Sequence, residues 1–270
     1  MDRFVSGHAV SFTLTRGRLP LLISFPHSGT YVPPELAAQF TPAALQVPDT
    51  DWHVPALYNF ARELGAWTLE SHISRYVIDL NRDPNGDSLY PGQSTTSLCP
   101  VDTFELEPVY RDENPTPAHI AQRVERYWQP YHDTLQRTID AMRSEHGRAI
   151  VWDAHSIRSV VPRFFDGTLK ALNLGTSRGA SCSAPIRQAV IDVLADGHLE
   201  LAVDERFIGG FITRHYGAPD HSVHTLQMEI AQSAYLHESG DLTLKPQPAR
   251  ALSALLQRAL SAAATSDEGI

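Results

Sequence analysis

The sequence predicts an α/β fold: a single domain with a mixed, mostly parallel sheet flanked by helices. Short apolar runs of strand length alternate with stretches of helical periodicity, the pattern of that class. Two of the runs, Leu19-Pro-Leu-Leu-Ile-Ser-Phe25 and Arg148-Ala-Ile-Val-Trp152, lead directly into polar turns that carry a histidine. The composition, 42% hydrophobic and 20% charged, is that of an ordinary globule with a sizeable core, and 270 residues lie within the range of one α/β domain.

Taken in order, strands are expected at 20–25, 66–70, 74–80, 148–153 and 223–230. A helix is expected over 51–64, where Trp52, Ala56, Leu57, Phe60, Ala61 and Leu64 form one apolar face that Gly65 closes. A longer helical stretch covers 116–145, with Ile120, Val124, Trp128, Tyr131, Leu135, Ile139 and Met142 on its apolar side; Pro130 should kink or split it. Further helices fall at 184–195 and 247–262. Segments 83–114 and 158–181 lack periodicity and read as irregular. The domain is drawn over 1–262, with a disordered tail at 263–270.

The net charge of −9 speaks against nucleic acid and anionic membranes as main partners but leaves a small anionic ligand open. Cys99 and Cys182 stand in no metal-binding spacing and read as free thiols of a reducing compartment. There is no basic stretch followed by an apolar core at the start, and no run approaches about 18 apolar residues, so the cytoplasm is the default expectation.

His27 in Pro26-His-Ser-Gly29 and His155 in Asp153-Ala-His-Ser156 each follow a buried-strand pattern. In open α/β sheets ligands bind beyond the carboxyl ends of the strands, so two imidazoles delivered there can share a metal, zinc being the natural occupant. Each alone would be a surface histidine; the remaining histidines, such as His8, His119, His146 and His198, stay with that reading. A catalytic zinc needs a third protein ligand, often a carboxylate. The candidates are Asp49, Asp51 and Glu35, and Asp51 also suits a helix N-cap. Asp153 lies on the same side of its strand as His155 and either orients that ligand or ends the strand.

Arg75 and Arg82 bracket the apolar segment Ser74 to Arg82, which also carries Asn81. Arginine offers a planar fork matched to carboxylate, so this segment reads either as an anionic-substrate pocket or as surface ion pairs. In His224-Thr-Leu-Gln-Met-Glu-Ile230, Glu229 alternates against Leu226, Met228 and Ile230. It is either a partly buried carboxyl with a raised pKa, useful for proton transfer, or the wet face of an edge strand.

Six blocks together resemble the N-formylglutamate amidohydrolase (deformylase) family of bacterial histidine degradation. They are Ser24-Phe-Pro-His-Ser-Gly-Thr-Tyr-Val-Pro-Pro34, Asp49-Thr-Asp-Trp52, Ser74 to Arg82, Asp153-Ala-His-Ser156, Gly209-Gly-Phe-Ile-Thr-Arg-His-Tyr-Gly217 and Leu226-Gln-Met-Glu-Ile230. They span roughly residues 20–240. The resemblance implies a zinc-carboxypeptidase-like (phosphorylase/hydrolase-like) architecture related to aspartoacylases, and hydrolysis of N-formyl-L-glutamate at one Zn2+. By motif, His27 and His155 match the histidine ligands, Glu229 the general acid/base and Arg75 the arginine that polarises the scissile carbonyl. Asn81 and Arg82 match the pair that grips the substrate carboxylate. Relatives of the carboxypeptidase type carry His-x-x-Glu, whereas this chain has Thr30; the carboxylate ligand is therefore assigned to Asp51 over Asp49 and Glu35. A side-chain carboxylate needs another cation, for which Arg214 and Arg163 are the candidates. The alternatives are another N-acyl or N-formyl amino acid, such as N-formylaspartate, or a non-catalytic dicarboxylate-binding module.

Overall fold

A computed structural model describes residues 2–6, 9–86 and 94–266. Among these, eight strands form one sheet: β1 (Asp2–Ser6), β2 (Ala9–Thr15), β3 (Leu21–Phe25), β4 (Trp67–Ser71), β5 (Ala149–Ile157), β6 (Leu172–Gly175), β7 (Leu201–Val203) and β8 (Val223–Ala231). Their spatial order is β1-β2-β4-β3-β5-β8-β6-β7. The central run β4-β3-β5-β8 is parallel, β6 joins β8 antiparallel, and β1 and β2 add an antiparallel ribbon at one edge. The α/β class expected from the sequence is therefore the fold observed.

Why the sheet is buried on both faces follows from the strand sequences. In β5, alternation sends Ile150, Trp152 and Ala154 into one core layer and Ala149 and Val151 into the other. The helices that cover these layers are α1 (Pro34–Ala37), α2 (Val54–Leu57), α3 (Ala61–Leu64), α4 (Pro117–Arg123), α5 (Gln129–His146), α6 (Ala184–Ala195), α7 (Phe211–Tyr216) and α8 (Pro246–Thr265). Ile186, Val190 and Leu194 of α6 and Leu252, Leu256 and Leu260 of α8 pack on the first layer; Tyr131, Leu135, Ile139 and Met142 of α5 pack on the second.

Several elements differ from the sequence expectation. Segment 74–80 is not a strand but a buried series of turns, opened by the Ser74 hydroxyl accepting from the Tyr76 amide at 3.2 Å. Its apolar side chains Val77, Ile78 and Leu80 enter the core, which gave the segment a strand-like composition. The helix expected over 51–64 divides into α2 and α3. Asp51 is not its N-cap: His53, with φ of 60°, caps α2, while the Asp51 amide donates to the His27 carbonyl at 3.1 Å. β5 runs four residues beyond the expected 153, so His155 lies inside a strand rather than after it. The irregular stretch 158–181 contains β6, and β8 is a central strand rather than an edge.

Helical structure continues from Pro117 to His146 across Pro130, with a wide π turn at Val124–Trp128 taking up the strain at the α4–α5 junction. Helix α8 carries on to Thr265, three residues into the expected tail; 267–270 and 87–93 lie outside the described residues. Strands β1, β2, β6 and β7 were not expected. The last two are only four and three residues long, too short for a period to emerge.

Leu226 on β8 is fully buried between the sheet and its helices. Leu226→Ala should cost about 2–5 kcal/mol, read as a lower denaturant midpoint at an unchanged m-value.

Candidate metal centre and active site

The chain leaves β3 to build β4 on one side and later places β5 on the other, so a crevice opens between the carboxyl ends of β3 and β5. His27 follows β3 by two residues and His155 lies near the end of β5. β8 pairs with β5 in parallel register, setting Asp153 beside Gln227 and His155 beside Glu229. These four share the sheet face that carries Ala149, Val151 and Val223 further back. One face thus turns from apolar to ionisable along its length, and the turning point is the site.

His27, Asp51 and His155, all buried, bring their ligating atoms within 4.8 Å of one another. Each histidine is held from behind by a carboxylate. The Nε2 of His27 hydrogen-bonds to Asp79 Oδ1 at 2.6 Å, and the Nε2 of His155 lies 3.0 Å from Asp153 Oδ2 and 2.9 Å from Asn81 Nδ2. Both rings then turn Nδ1 toward Asp51 Oδ2, at 3.9 Å from His27 and 2.9 Å from His155. A carboxylate on the far nitrogen fixes tautomer and ring orientation, the arrangement that presents imidazole to a cation. Two imidazole nitrogens and a carboxylate suit a divalent metal, and the group could hold one. Asp49 is occupied elsewhere, accepting from Tyr76 Oη at 2.6 Å and the Phe104 amide at 2.8 Å; Glu35 is exposed and pairs with Arg126.

The two imidazoles differ electrostatically. Burial lowers the His27 pKa, and the nearby Arg75 lowers it further, against the pull of Asp79. Burial acts the same way on His155, yet Asp153 and Asp51 outweigh it and hold its pKa well above the usual range. Burial also opposes ionisation of Asp79, but His27, Arg82 and Arg75 keep its carboxyl well below the usual range. Glu229 is pushed up to about 8 by burial, with His155 pulling it down and Asp51 pushing it up.

Arg75 donates to Asp79 Oδ2 at 3.0 Å and to the Asp49 carbonyl at 3.2 Å, and its guanidinium lies 5.0 Å from the Phe104 ring centre. Asn81 is a clamp: Nδ2 donates to Asp153 Oδ2 at 2.8 Å, and Oδ1 accepts from the Ile212 amide at 2.8 Å in the first turn of α7. A Cβ on Gly210 would lie 2.5 Å from Asn81 Nδ2, so α7 can approach this side chain only on a glycine. Arg82 donates to the Thr96 carbonyl and hydroxyl, and Trp128 Nε1 holds the Arg82 carbonyl at 3.0 Å.

A narrow cleft of about 70 Å³ joins these groups, walled by Arg75, Asn81, Arg82, Glu229 and Arg206 among others. Arg214 is not on its wall; Nε donates to the Gly209 carbonyl at 2.9 Å. Arg163 is also outside, paired with Asp102 at 2.7 Å. Sequence reasoning passed over Asp79, although an aspartate inside the apolar run 76–80 was the available signal.

A profile of the N-formylglutamate amidohydrolase family matches residues 19–236. The chain belongs to this family. Two N-formylglutamate deformylases agree with it over nearly their whole length. That of Pseudomonas putida is 42% identical over 265 residues, 97% of this chain and 96% of its own. That of Pseudomonas aeruginosa PAO1 is 44% identical over 248 residues, 91% and 92% of the two chains. The crystal structure of N-formylglutamate amidohydrolase from Ralstonia eutropha JMP134 superposes with a TM-score of 0.77 at 26% identity, covering 93% of this chain and 97% of that one. The Agrobacterium tumefaciens gene product Atu2144 shares the fold, with a TM-score of 0.73 at 16% identity over 97% and 98% of the chains.

Asp51→Ala should abolish metal retention, and Asp79→Asn should weaken it about 10–100-fold by freeing the His27 ring. Elemental analysis and chelator competition measure both; full retention by Asp51→Ala would reassign the third ligand.

Proposed function

We propose that the protein hydrolyses N-formyl-L-glutamate to formate and L-glutamate at one zinc ion held by His27, Asp51 and His155. The observation that carries this reading is the pairing of His155 with Glu229 across β5 and β8, which sets a high-pKa carboxyl beside the His-Asp-His group. The names of the two deformylases supply the substrate.

When bound, zinc supplies a Lewis acid and lowers the pKa of water from about 15.7 toward 7. Glu229 takes a proton from the attacking water as its oxygen bonds to the formyl carbon. It then delivers that proton to the amide nitrogen as the C–N bond breaks, releasing formate and the free amine. Arg75 meets the negative charge that builds on the formyl oxygen. In support, its buried Nε has no hydrogen-bond partner among the described residues. Arg82 holds the substrate α-carboxylate as the cation next along the cleft. Asn81 serves from behind, tying Asp153 to α7 so that His155 and Arg82 keep their spacing.

The partner of this chemistry is a small anionic N-formyl amino acid. The reading keeps the enzyme in the cytoplasm, which suits the two buried free thiols, Cys99 and Cys182. No helix among the described residues is long and apolar enough to cross a membrane.

Formate release from a panel of N-formyl-L-glutamate, N-formyl-L-aspartate and N-acetyl-L-glutamate tests the substrate, and N-formyl-L-glutamate should give the highest kcat/KM. A better rate on another member would move the assignment. Glu229→Gln should lose at least about 100-fold in kcat while retaining metal by elemental analysis; near-normal turnover would remove Glu229 from the proton path.

A base must be ionised to act, so kcat/KM should rise with pH through the Glu229 ionisation. Burial pushes the Glu229 carboxyl up to about 8, and a bound dication would favour the carboxylate and move that limb lower. A rate falling steadily between pH 5 and 8 would contradict this sign.

A further inference from the structure

We propose that Arg206 is the specificity-determining cation that receives the side-chain carboxylate of the substrate. This rests on the N-formylglutamate reading, since that substrate carries two carboxylates and needs two separate cationic contacts. Arg75 is bound into the buried group through Asp79 at 3.0 Å and Asp51 at 3.9 Å. Arg82 takes the α-carboxylate. Arg206 is the remaining arginine on the cleft wall, whereas Arg214 and Arg163 stand outside it.

The surroundings of Arg206 fit that task. Its Nε donates to the Phe164 carbonyl at 2.6 Å, and its guanidinium lies 5.4 Å from the Phe207 ring centre and 6.0 Å from that of Phe164. Aromatic faces and a main-chain oxygen orient the planar fork, a shape that matches a carboxylate with two parallel bonds. Phe164 and Phe207 also line the cleft and give the methylenes of a glutamyl side chain an apolar wall.

The backbone that carries Arg206 is pinned on both sides. Before it, Asp204 accepts from the Thr176 amide at 2.6 Å, the Arg178 amide at 3.1 Å and Arg187 Nη2 at 3.2 Å. After it, the Gly210 amide donates to Gln227 Oε1 at 2.6 Å. The adjacent Glu205 is drawn off by Lys170 at 2.8 Å. A cation on a fixed loop loses little freedom on binding, which favours selectivity.

The test compares N-formyl-L-glutamate with its neutral isostere N-formyl-L-glutamine on zinc-loaded wild type, Arg206→Met and Arg206→Lys. Arg206→Met should lower kcat/KM for N-formylglutamate about 100-fold, mainly through KM, and change N-formylglutamine less than about 3-fold. Arg206→Lys keeps the charge without the fork and should lose about 10-fold on N-formylglutamate alone. It carries the test if the methionine variant does not fold, judged by thermal melting. Equal losses on both substrates would mean that Arg206 only holds its loop, and would overturn the proposal. A glutamate preference that survives in the variants overturns the Arg206 assignment while leaving the N-formylglutamate reading intact. Wild type that releases no formate from either substrate overturns that reading and this proposal together.

Discussion

Four carboxyl groups, those of Asp51, Asp79, Asp153 and Glu229, lie buried at one end of the sheet, and the need to compensate them governs everything around the cleft. Burying a carboxylate is costly unless it is paired and hydrogen-bonded. Asp79 meets His27 and Arg75, Asp153 meets His155 and Asn81, and Asp51 meets His155 with Arg75 further off. Burial pushes the Glu229 carboxyl up to about 8, with His155 pulling it down. In the proposed reaction, that raised carboxyl is the proton carrier.

The same arithmetic suits the group His27, Asp51 and His155 to a cation. Without it, the carboxylates draw a proton onto His155, which bridges Asp51 and Asp153. His27, Asp51 and His155 would hold a metal as neutral imidazoles and a carboxylate, so binding one would be linked to proton release.

How much of this was legible in the sequence varies with the kind of signal. Strands β3, β4, β5 and β8 announced themselves, because strands buried on both faces are long apolar runs. His27, His155 and Glu229 stood out as polar residues breaking such runs. Segment 74–82 misled as to structure, since a buried turn and a buried strand draw on the same side chains. Arg75, Asn81 and Arg82 of this segment all line the cleft. Arg214 and Arg163 were offered as the further cation; in the fold Arg214 Nε donates to the Gly209 carbonyl and Arg163 pairs with Asp102. Arg206 and Asp204 lay in an aperiodic loop, where no spacing distinguishes a residue facing the cleft from one facing solvent.

The position of β8 has a further consequence, for biogenesis. It is the last strand in the chain, yet it lies between β5 and β6, which are made well before it. Until residue 231 has left the ribosome, both neighbours expose unpaired edges, and the nascent sheet is open at its middle. Closing it requires insertion of a strand into a prepared slot, a long-range pairing that forms late and slowly. Because His155 and Glu229 meet across that seam, the segment that completes the core also brings Glu229 to the His-Asp-His group. A chain arrested before β8 would have both histidines, but no finished floor for the cleft and no acid beside them.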